Sequence, residues 1–450
     1  MNPSVYLAAD LHRSSKEERD LRGCGGDTVW SEVDYALPAG FPFIVDDDNL
    51  VVLEDVLLYL HATFIKATGA GLAKHRRRTS MHSVHAAAYD LVDFLRFIVF
   101  RIAQRQPGIV ISEPQDSGVD HFHLPKFSYS DVIAYRDNLY TRISKQTHEP
   151  LADQTCGRRV YRALHYADWL AKRGRLLDED SRPDIVVVQT NDKDYFVRTL
   201  TEQSWRGLQN RLGPLPSQRS EYGFPSSRPR LTAELSLSTG LRVDEVARLT
   251  IHQILSLPYD SQATPESKVP LRVTRTKRLK PRTVELPMYL LYELQLYIDG
   301  ERRDALREAE KYWLRDDSRR PSALFLNGTD AHQHAGKPVK ADVISDDFHQ
   351  ACLRNALTSV REKIDPESGV TYFTSVAQHR FHDLRHTFAV WMYLSEKASG
   401  NAEPWKQIQT LLGHTSLKTT MDIYLKVVNV ERQAINASVF DATRRSWNGD

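Results

Sequence analysis

From residue 80 onward, apolar side chains return with the period of one helix face, a spacing that leaves little room for anything but a mainly helical architecture. Ala88, Leu91, Leu95 and Val99 fall on one stripe, widened by Phe94, Phe97 and Ile98; a stripe of that width needs another element to bury it. Val132, Tyr135, Leu139 and Ile143 repeat the pattern up to residue 143, behind Ser128 and Ser130, which are good helix N-caps. A third stripe, Val160, Leu164, Ala167 and Ala171, runs along 153–173, with Arg158, Arg159 and Arg162 elsewhere on the same helix. Further helices are expected over 48–68, 231–238, 243–250, 288–314, 345–357, 384–395, 405–412 and 419–428. Only 271–274 and 283–286 read as strands, joined by a basic turn at 277–281. The expected fold is mainly α with a small antiparallel β insert.

Hydrophobic residues make up 41% of the 450 and charged residues 26%. That mixture excludes a collagen-like, coiled-coil-only or wholly disordered chain, and the length predicts two or three domains. Cys24, Cys156 and Cys352 lie far apart with no C-x-x-C spacing, so neither a disulfide framework nor a cysteine zinc site is expected, and a reducing compartment fits. Residues 1–20 are charged throughout and show no signal peptide. The most apolar runs, 50–65 and 91–103, are broken by Glu54 and Asp55, and by Asp93 and Arg96; neither can span a bilayer. A cytoplasmic protein is expected.

Breakers set the domain limits. Gly23, Gly25, Gly26, Pro38 and Pro42 leave the order of segment 1–75 undecided. A helical domain is expected over 80–185, then a linker over 186–227, with the break near Pro214–Pro229. A second, mostly helical domain carrying the β insert covers 228–430, and a tail covers 431–450. Formal charge is only +2, so clustering matters more than the sum. Basic residues gather at 74–78, at Arg158, Arg159 and Arg162, and from Arg272 to Arg282. Each is ordinarily a solvated face; three together favour a phosphate-rich partner.

Four places in the second half can carry chemistry. They are Gly240-Leu241-Arg242, the turn around Lys277, His382-Asp383-Leu384-Arg385-His386, and Gly413-His414 followed by Tyr424. Taken singly each has a plain reading: a helix C-cap followed by a surface arginine, an edge lysine, a cation at a helix end, a packing tyrosine. His382 and His386 stand at i and i+4, the spacing of H-E-x-x-H zinc hydrolases, with Asp383 in place of Glu. A permanent cation at Arg385 counts against a dication there. No P-loop, dinucleotide glycine fingerprint or G-x-S-x-G elbow is present, so neither ATP nor NAD is expected.

As an ordered set the residues resemble the tyrosine recombinase (phage integrase) family. The matches are Ser238-Thr239-Gly240-Leu241-Arg242-Val243-Asp244-Glu245, then Phe381-His382-Asp383-Leu384-Arg385-His386-Thr387-Phe388-Ala389, then Leu411-Leu412-Gly413-His414 through Asp422-Ile423-Tyr424. The stretch Thr276-Lys277-Arg278-Leu279-Lys280-Pro281-Arg282 is similar to the family's lysine-bearing β-turn. The resemblance extends more weakly over 80–180. It implies a helical core-binding domain and a tyrosine-recombinase catalytic domain, closing on DNA as a C-shaped clamp.

The same resemblance implies roles. Tyr424 is the nucleophile that forms a 3′-phosphotyrosine link, and Arg242 and Arg385 grip the non-bridging oxygens. Lys277 is the general acid for the leaving 5′ oxygen, with Lys280 as its competitor. His382 assists proton transfer, His414 donates to the phosphate, and His386 is structural. Arg158, Arg159, Arg162, Arg278 and Lys280 are the expected DNA contacts. No metal or other cofactor is implied. The implied partners are double-stranded DNA with specific recombination sites and further copies of the chain, two on a site and four in a synapse. Accessory DNA-bending or directionality proteins fit the same scheme, and the tail can dock on a neighbour. A type IB topoisomerase-like relaxing enzyme, an idle DNA-binding regulator and the zinc hydrolase are the rival readings.

Overall fold

The computed structural model describes residues 1–8, 37–65, 80–105, 126–176, 182, 197–219, 225–274, 281–316, 319–413 and 421. The chain divides into two units, Met1–Lys193 with Lys363–Tyr372, and Asp194–Glu362 with Phe373–Asp450.

The first unit opens with an antiparallel sheet that the helical pattern conceals. Strands β1 (Pro3–Leu7), β2 (Pro42–Asp46) and β3 (Val51–Val52) pair in that order. The buried Asp46 carboxylate makes the β2–β3 turn, accepting from the Asn2 amide at 2.6 Å, the Asp48 amide at 3.3 Å and Asn49 Nδ2 at 3.0 Å. The helix expected over 48–68 is therefore shorter, α1 (Glu54–Phe64). Three helices follow: α2 (Met81–Arg105), α3 (Tyr129–Thr141) and α4 (Asp153–Ala171). Ser128 starts α3 as expected, its amide donating to Asp131 Oδ2 at 3.0 Å. Leu91, Phe94, Leu95 and Ile98 bury against Val132, Tyr135 and Leu139 and against Val160 and Ala167. The stripes fail only at their ends. Val99 is half-buried, Ile143 lies past α3, and Ala171 is exposed in the last turn of α4.

The second unit begins earlier than the expected break. Helix α5 (Glu202–Leu212) lies inside the stretch read as linker, yet it buries Trp205, Leu208 and Leu212 in the second core. Helices α6 (Arg228–Thr239), α7 (Val243–Ala247) and α8 (Ile251–Leu255) come next. The helix expected over 243–250 ends at Ala247, and Thr250 starts the further helix α8, which was not expected, by accepting from the Gln253 amide. Strands β4 (Lys268–Val273) and β5 (Arg282–Pro287) form the expected hairpin, with Leu271 opposite Val284. Val269, Leu271, Val273, Val284 and Leu286 turn inward by strict alternation.

The helix expected over 288–314 breaks at Gly300 into α9 (Met288–Asp299) and α10 (Glu301–Glu310). The break lets buried Glu301 accept from the Ser227 amide at 2.8 Å and from Ser227 Oγ at 2.6 Å, which holds the start of α6. After α11 (Ala341–Arg354) comes a second hairpin, β6 (Thr358–Ile364) and β7 (Thr371–Ala377), so the one β insert expected is joined by two more small sheets. Helices α12 (Phe381–Ala398) and α13 (Pro404–Leu412) complete the described chain. The helix expected over 419–428 and the tail lie outside the described residues, as does Cys24. Cys156 and Cys352 are free and buried. Among the described residues no helix is long and apolar enough to cross a membrane.

Gly240 ends α6 in the left-handed conformation, φ +68°, and packing closes over it. A Cβ there would stand 2.6 Å from Phe388 Cδ1 and 2.9 Å from Leu412 Cδ2. Gly400 also has positive φ, +86°, but nothing within 4 Å. Gly400→Ala should cost only the left-handed penalty, about 1 kcal/mol, and Gly240→Ala should add overpacking for a loss of about 2–4 kcal/mol. Urea midpoints of the two variants measure the difference; equal shifts would show that the close approach does not matter.

Candidate active site

Gly240 carries the chain out of α6 and directly into Arg242, so the turn sets the guanidinium near the start of α12. The sequence there places His382, Asp383, Arg385 and His386 in the first two turns. Asp383 anchors that start by accepting from the Arg380 amide at 3.0 Å, and Asp383 Oδ2 is 3.5 Å from His379 Nδ1. One turn on, Thr387 Oγ1 donates to the Asp383 carbonyl at 2.8 Å and accepts from the Leu200 amide at 2.9 Å.

Arg385 is the largest fully buried side chain among the described residues, 1% exposed. Its Nη1 donates to the Gly240 carbonyl, and its Nη2 to the Leu412 carbonyl at 2.6 Å. Both acceptors belong to helix C-terminal ends, where a cation is favoured. Gly413 caps α13 at φ +65°. One buried guanidinium thus ties the end of α6, and through it Arg242, to the end of α13, where the chain continues to His414.

Arg242 is half-buried and backed by an acid. The Glu245 carboxylate, 2% exposed, accepts from the Arg242 amide at 2.9 Å and from Arg242 Nη1 at 3.2 Å. It also receives Arg282 Nη1 and Nη2, each at 2.7 Å. Burial alone would raise the carboxyl; the hydrogen bonds and charge of Arg282, with help from Arg242, bring it down to about 2. In the sequence Glu245 closes the stretch that holds Gly240-Leu241-Arg242 and Arg282 is the last of the basic run from Arg272, and nothing local joins them. The available signal was their opposite charge inside two apolar patterns.

His382 lies on the exposed side of α12, but the protein atoms crowding its ring hold its pKa down to about 4, aided by His386, Arg385 and Arg242 and opposed by Asp383. Both Arg242 and Arg385 thus act on the histidine through their charge. His386 meets His382 edge to face, with ring centroids 4.7 Å apart. Among the described residues no group of three or more His, Cys, Asp or Glu stands together that could hold a metal ion. Lys277, Arg278, Lys280, His414 and Tyr424 lie outside the described residues. Of the six residues expected to be catalytic, Arg242, His382 and Arg385 are within the described chain, and the charges of both arginines act on His382.

In the first unit, two of the three arginines of α4 meet the acids of α2. Arg158 Nη1 is 2.6 Å from Asp90 Oδ2, and Arg159 Nη1 is 3.0 Å from Asp93 Oδ2, while Arg142 Nη1 holds the other Asp93 oxygen at 2.7 Å. Arg162 donates to Tyr59 Oη at 3.3 Å and lies 5.3 Å from the Phe64 ring centroid. Burial raises Asp90 to about 6 even against these charges. Arg158 is the more open of the two acid-paired side chains, 48% exposed against 23% for Arg159.

Residues 218–430 match the phage integrase family. No curated protein matches the chain. Among solved structures, the chain is similar to the XerH site-specific recombinase bound to its difH substrate, at 17% identity, with 81% of this chain and 79% of that one covered and a TM-score of 0.44. A lambda integrase dimer bound to a core site gives 13% identity, coverage of 82% and 94%, and a TM-score of 0.43. The Tn1549 transposon integrase with circular intermediate DNA gives 14% identity, coverage of 84% and 98%, and a TM-score of 0.42.

A pKa of about 4 leaves the His382 ring neutral at pH 7. Because the folded value is below the ordinary 6.5, its contribution to stability is complete above pH 6.5 and is lost as pH falls toward 4. Histidine-ring NMR, assigned with His382→Gln, should show a titration midpoint near 4. A midpoint at 6.5 would remove the crowded, cationic setting.

Proposed function

With residues 218–430 belonging to the phage integrase family, the tyrosine recombinases, we propose that this chain cuts and rejoins double-stranded DNA at specific sites, on behalf of a mobile genetic element. The observation that carries the reading is Arg385 bonded to the Gly240 carbonyl, two residues before Arg242, with both arginine charges acting on His382. Phosphodiester cleavage without a metal needs cations for the charge that builds on the phosphoryl oxygens. Two planar guanidiniums suit that task better than ammonium groups. Losing one such donor typically costs about 10²–10³ in rate.

In the proposed step Tyr424 Oη attacks phosphorus, and the bond from phosphorus to the 5′ oxygen breaks. The electron pair leaves with that oxygen, which takes a proton from Lys277. The phenolic proton passes toward His382, which is neutral at pH 7 and able to receive it. Arg242 and Arg385 balance the phosphoryl charge, and His414 adds a hydrogen bond. The product is a 3′-phosphotyrosine whose phenolate is a fair leaving group, so attack by a 5′ hydroxyl reverses the step and joining needs no ATP. Partners on this reading are two copies of the chain per site, four in the synapse, and accessory DNA-bending proteins.

DNA duplexes carrying any direct or inverted repeats found beside the gene are the test substrate. The wild-type chain should form a denaturant-resistant adduct with one strand, and Tyr424→Phe should form none. An undiminished adduct with Tyr424→Phe refutes the nucleophile.

For binding, we propose that Arg158 reaches a DNA phosphate, whereas Arg159 stays with Asp90 and Asp93. Each neutralised phosphate contributes about −0.9 to the slope of log K against log salt. Arg158→Ala should therefore make the slope shallower by about 0.9, and Arg159→Ala should leave it in place. An unchanged slope with Arg158→Ala rules that contact out.

A further inference from the structure

We propose that Arg282 is a positioning residue for strand cleavage, one guanidinium locking the carboxylate behind Arg242 to the carbonyl end of α13. The inference rests on the function proposed above and deepens it. Arg282 is the first residue of β5, and its side chain is 8% exposed. Nη1 and Nη2 take both oxygens of Glu245 at 2.7 Å, and Nε donates to the Leu411 carbonyl at 2.9 Å. A Cβ at Gly413 would lie 2.9 Å from Arg282 Cδ, so the bare glycine lets the end of α13 rest on the arginine stem. Three helix or strand ends, those of α7, β5 and α13, meet on this one side chain.

The charges explain why such a lock matters. Arg242 and Arg282 share one carboxylate, which leaves one positive charge over. Glu245 Oε1 accepts from Arg282 and Arg242 side chains, and Oε2 accepts from the Arg282 side chain and the Arg242 amide. With Arg282 in place, Glu245 is satisfied and Arg242 Nη1 is held at only 3.2 Å, so a phosphate can compete for it. Without Arg282 a buried carboxylate is left with Arg242 as its cation. It then draws Arg242 away from the scissile phosphate. Lysine keeps the charge but has no planar fork, so it cannot make the paired bonds and the Leu411 bond together.

Single-turnover adduct formation by the full chain, on duplexes carrying repeats found beside the gene, tests the proposal. Arg282→Met should slow cleavage about 10–100-fold, with the affinity for the same duplex within twofold of wild type. Arg282→Lys should recover part of the rate. Without Arg282 the Glu245 carboxyl loses the larger of the two cations that hold it down and takes up its proton at higher pH, so the deficit of Arg282→Met relative to wild type should shrink as pH falls. The double variant Arg282→Met with Glu245→Gln removes the stranded charge, which protects the fold, and should cleave faster than Arg282→Met alone. Cleavage by Arg282→Met within twofold of wild type overturns the proposal. So does a deficit that is constant with pH and unrelieved by Glu245→Gln. A wild-type chain that forms no adduct while binding the duplex would instead refute the recombinase reading itself.

Discussion

A buried guanidinium bridging two helix ends is the constraint on which the second unit depends. Arg385 lies under the site, out of water, where an unpaired cation would cost several kcal/mol. It is stabilised there by carbonyls at the C-terminal ends of α6 and α13, each carrying about half a negative charge from its helix dipole. Both ends are capped by glycine in the left-handed conformation, Gly240 and Gly413. At Gly240 a side chain would collide with Phe388 and Leu412, and at Gly413 with the stem of Arg282. The same packing that closes the core therefore sets the spacing between Arg242 and the chain that runs on to His414.

Around that bridge the electrostatics lean one way. Arg242 and Arg282 face one deeply ionised acid, Glu245, while Arg385 and Arg242, with Asp383 opposing them, act on a histidine held neutral by its surroundings. Such a cluster keeps net positive charge near neutral pH while costing little reorganisation, because its donors are already fixed by protein acceptors. In the first unit the balance is different. There Arg142, Arg158 and Arg159 meet Asp90 and Asp93 at close range, so a basic run in the sequence is not a measure of free charge on the surface.

The helices of the first unit were legible because their signals are local. An apolar residue every three or four positions, with a serine in front of α2 and α3, is enough to place α2, α3 and α4 to within a few residues. Ile143 was misread because a stripe does not show where a helix ends when no glycine or proline marks it, and Ala171 because the last turn of a helix can stand clear of the core. The sheet of β1 to β3 was missed because Asp46 organises it across more than forty residues. Helix α5 was hidden among prolines, and only burial of Trp205 in the second core shows that it belongs there. Gly300 breaks 288–314 so that Glu301 can reach Ser227, a partner seventy-four residues away.

By itself the sequence determined which side chains have the chemistry to handle a phosphodiester, and in what order they occur. Residue identity and short spacing are properties of the chain, and they survive without coordinates. Only the tertiary structure decided which of those groups meet, which are neutralised, and which neighbours hold them. Arg282 and Glu245 stand thirty-seven residues apart and form a bidentate pair at 2.7 Å, and no periodicity announces it. Pairing of that kind depends on where two elements cross, and a crossing is set by the whole packed core rather than by any local stretch.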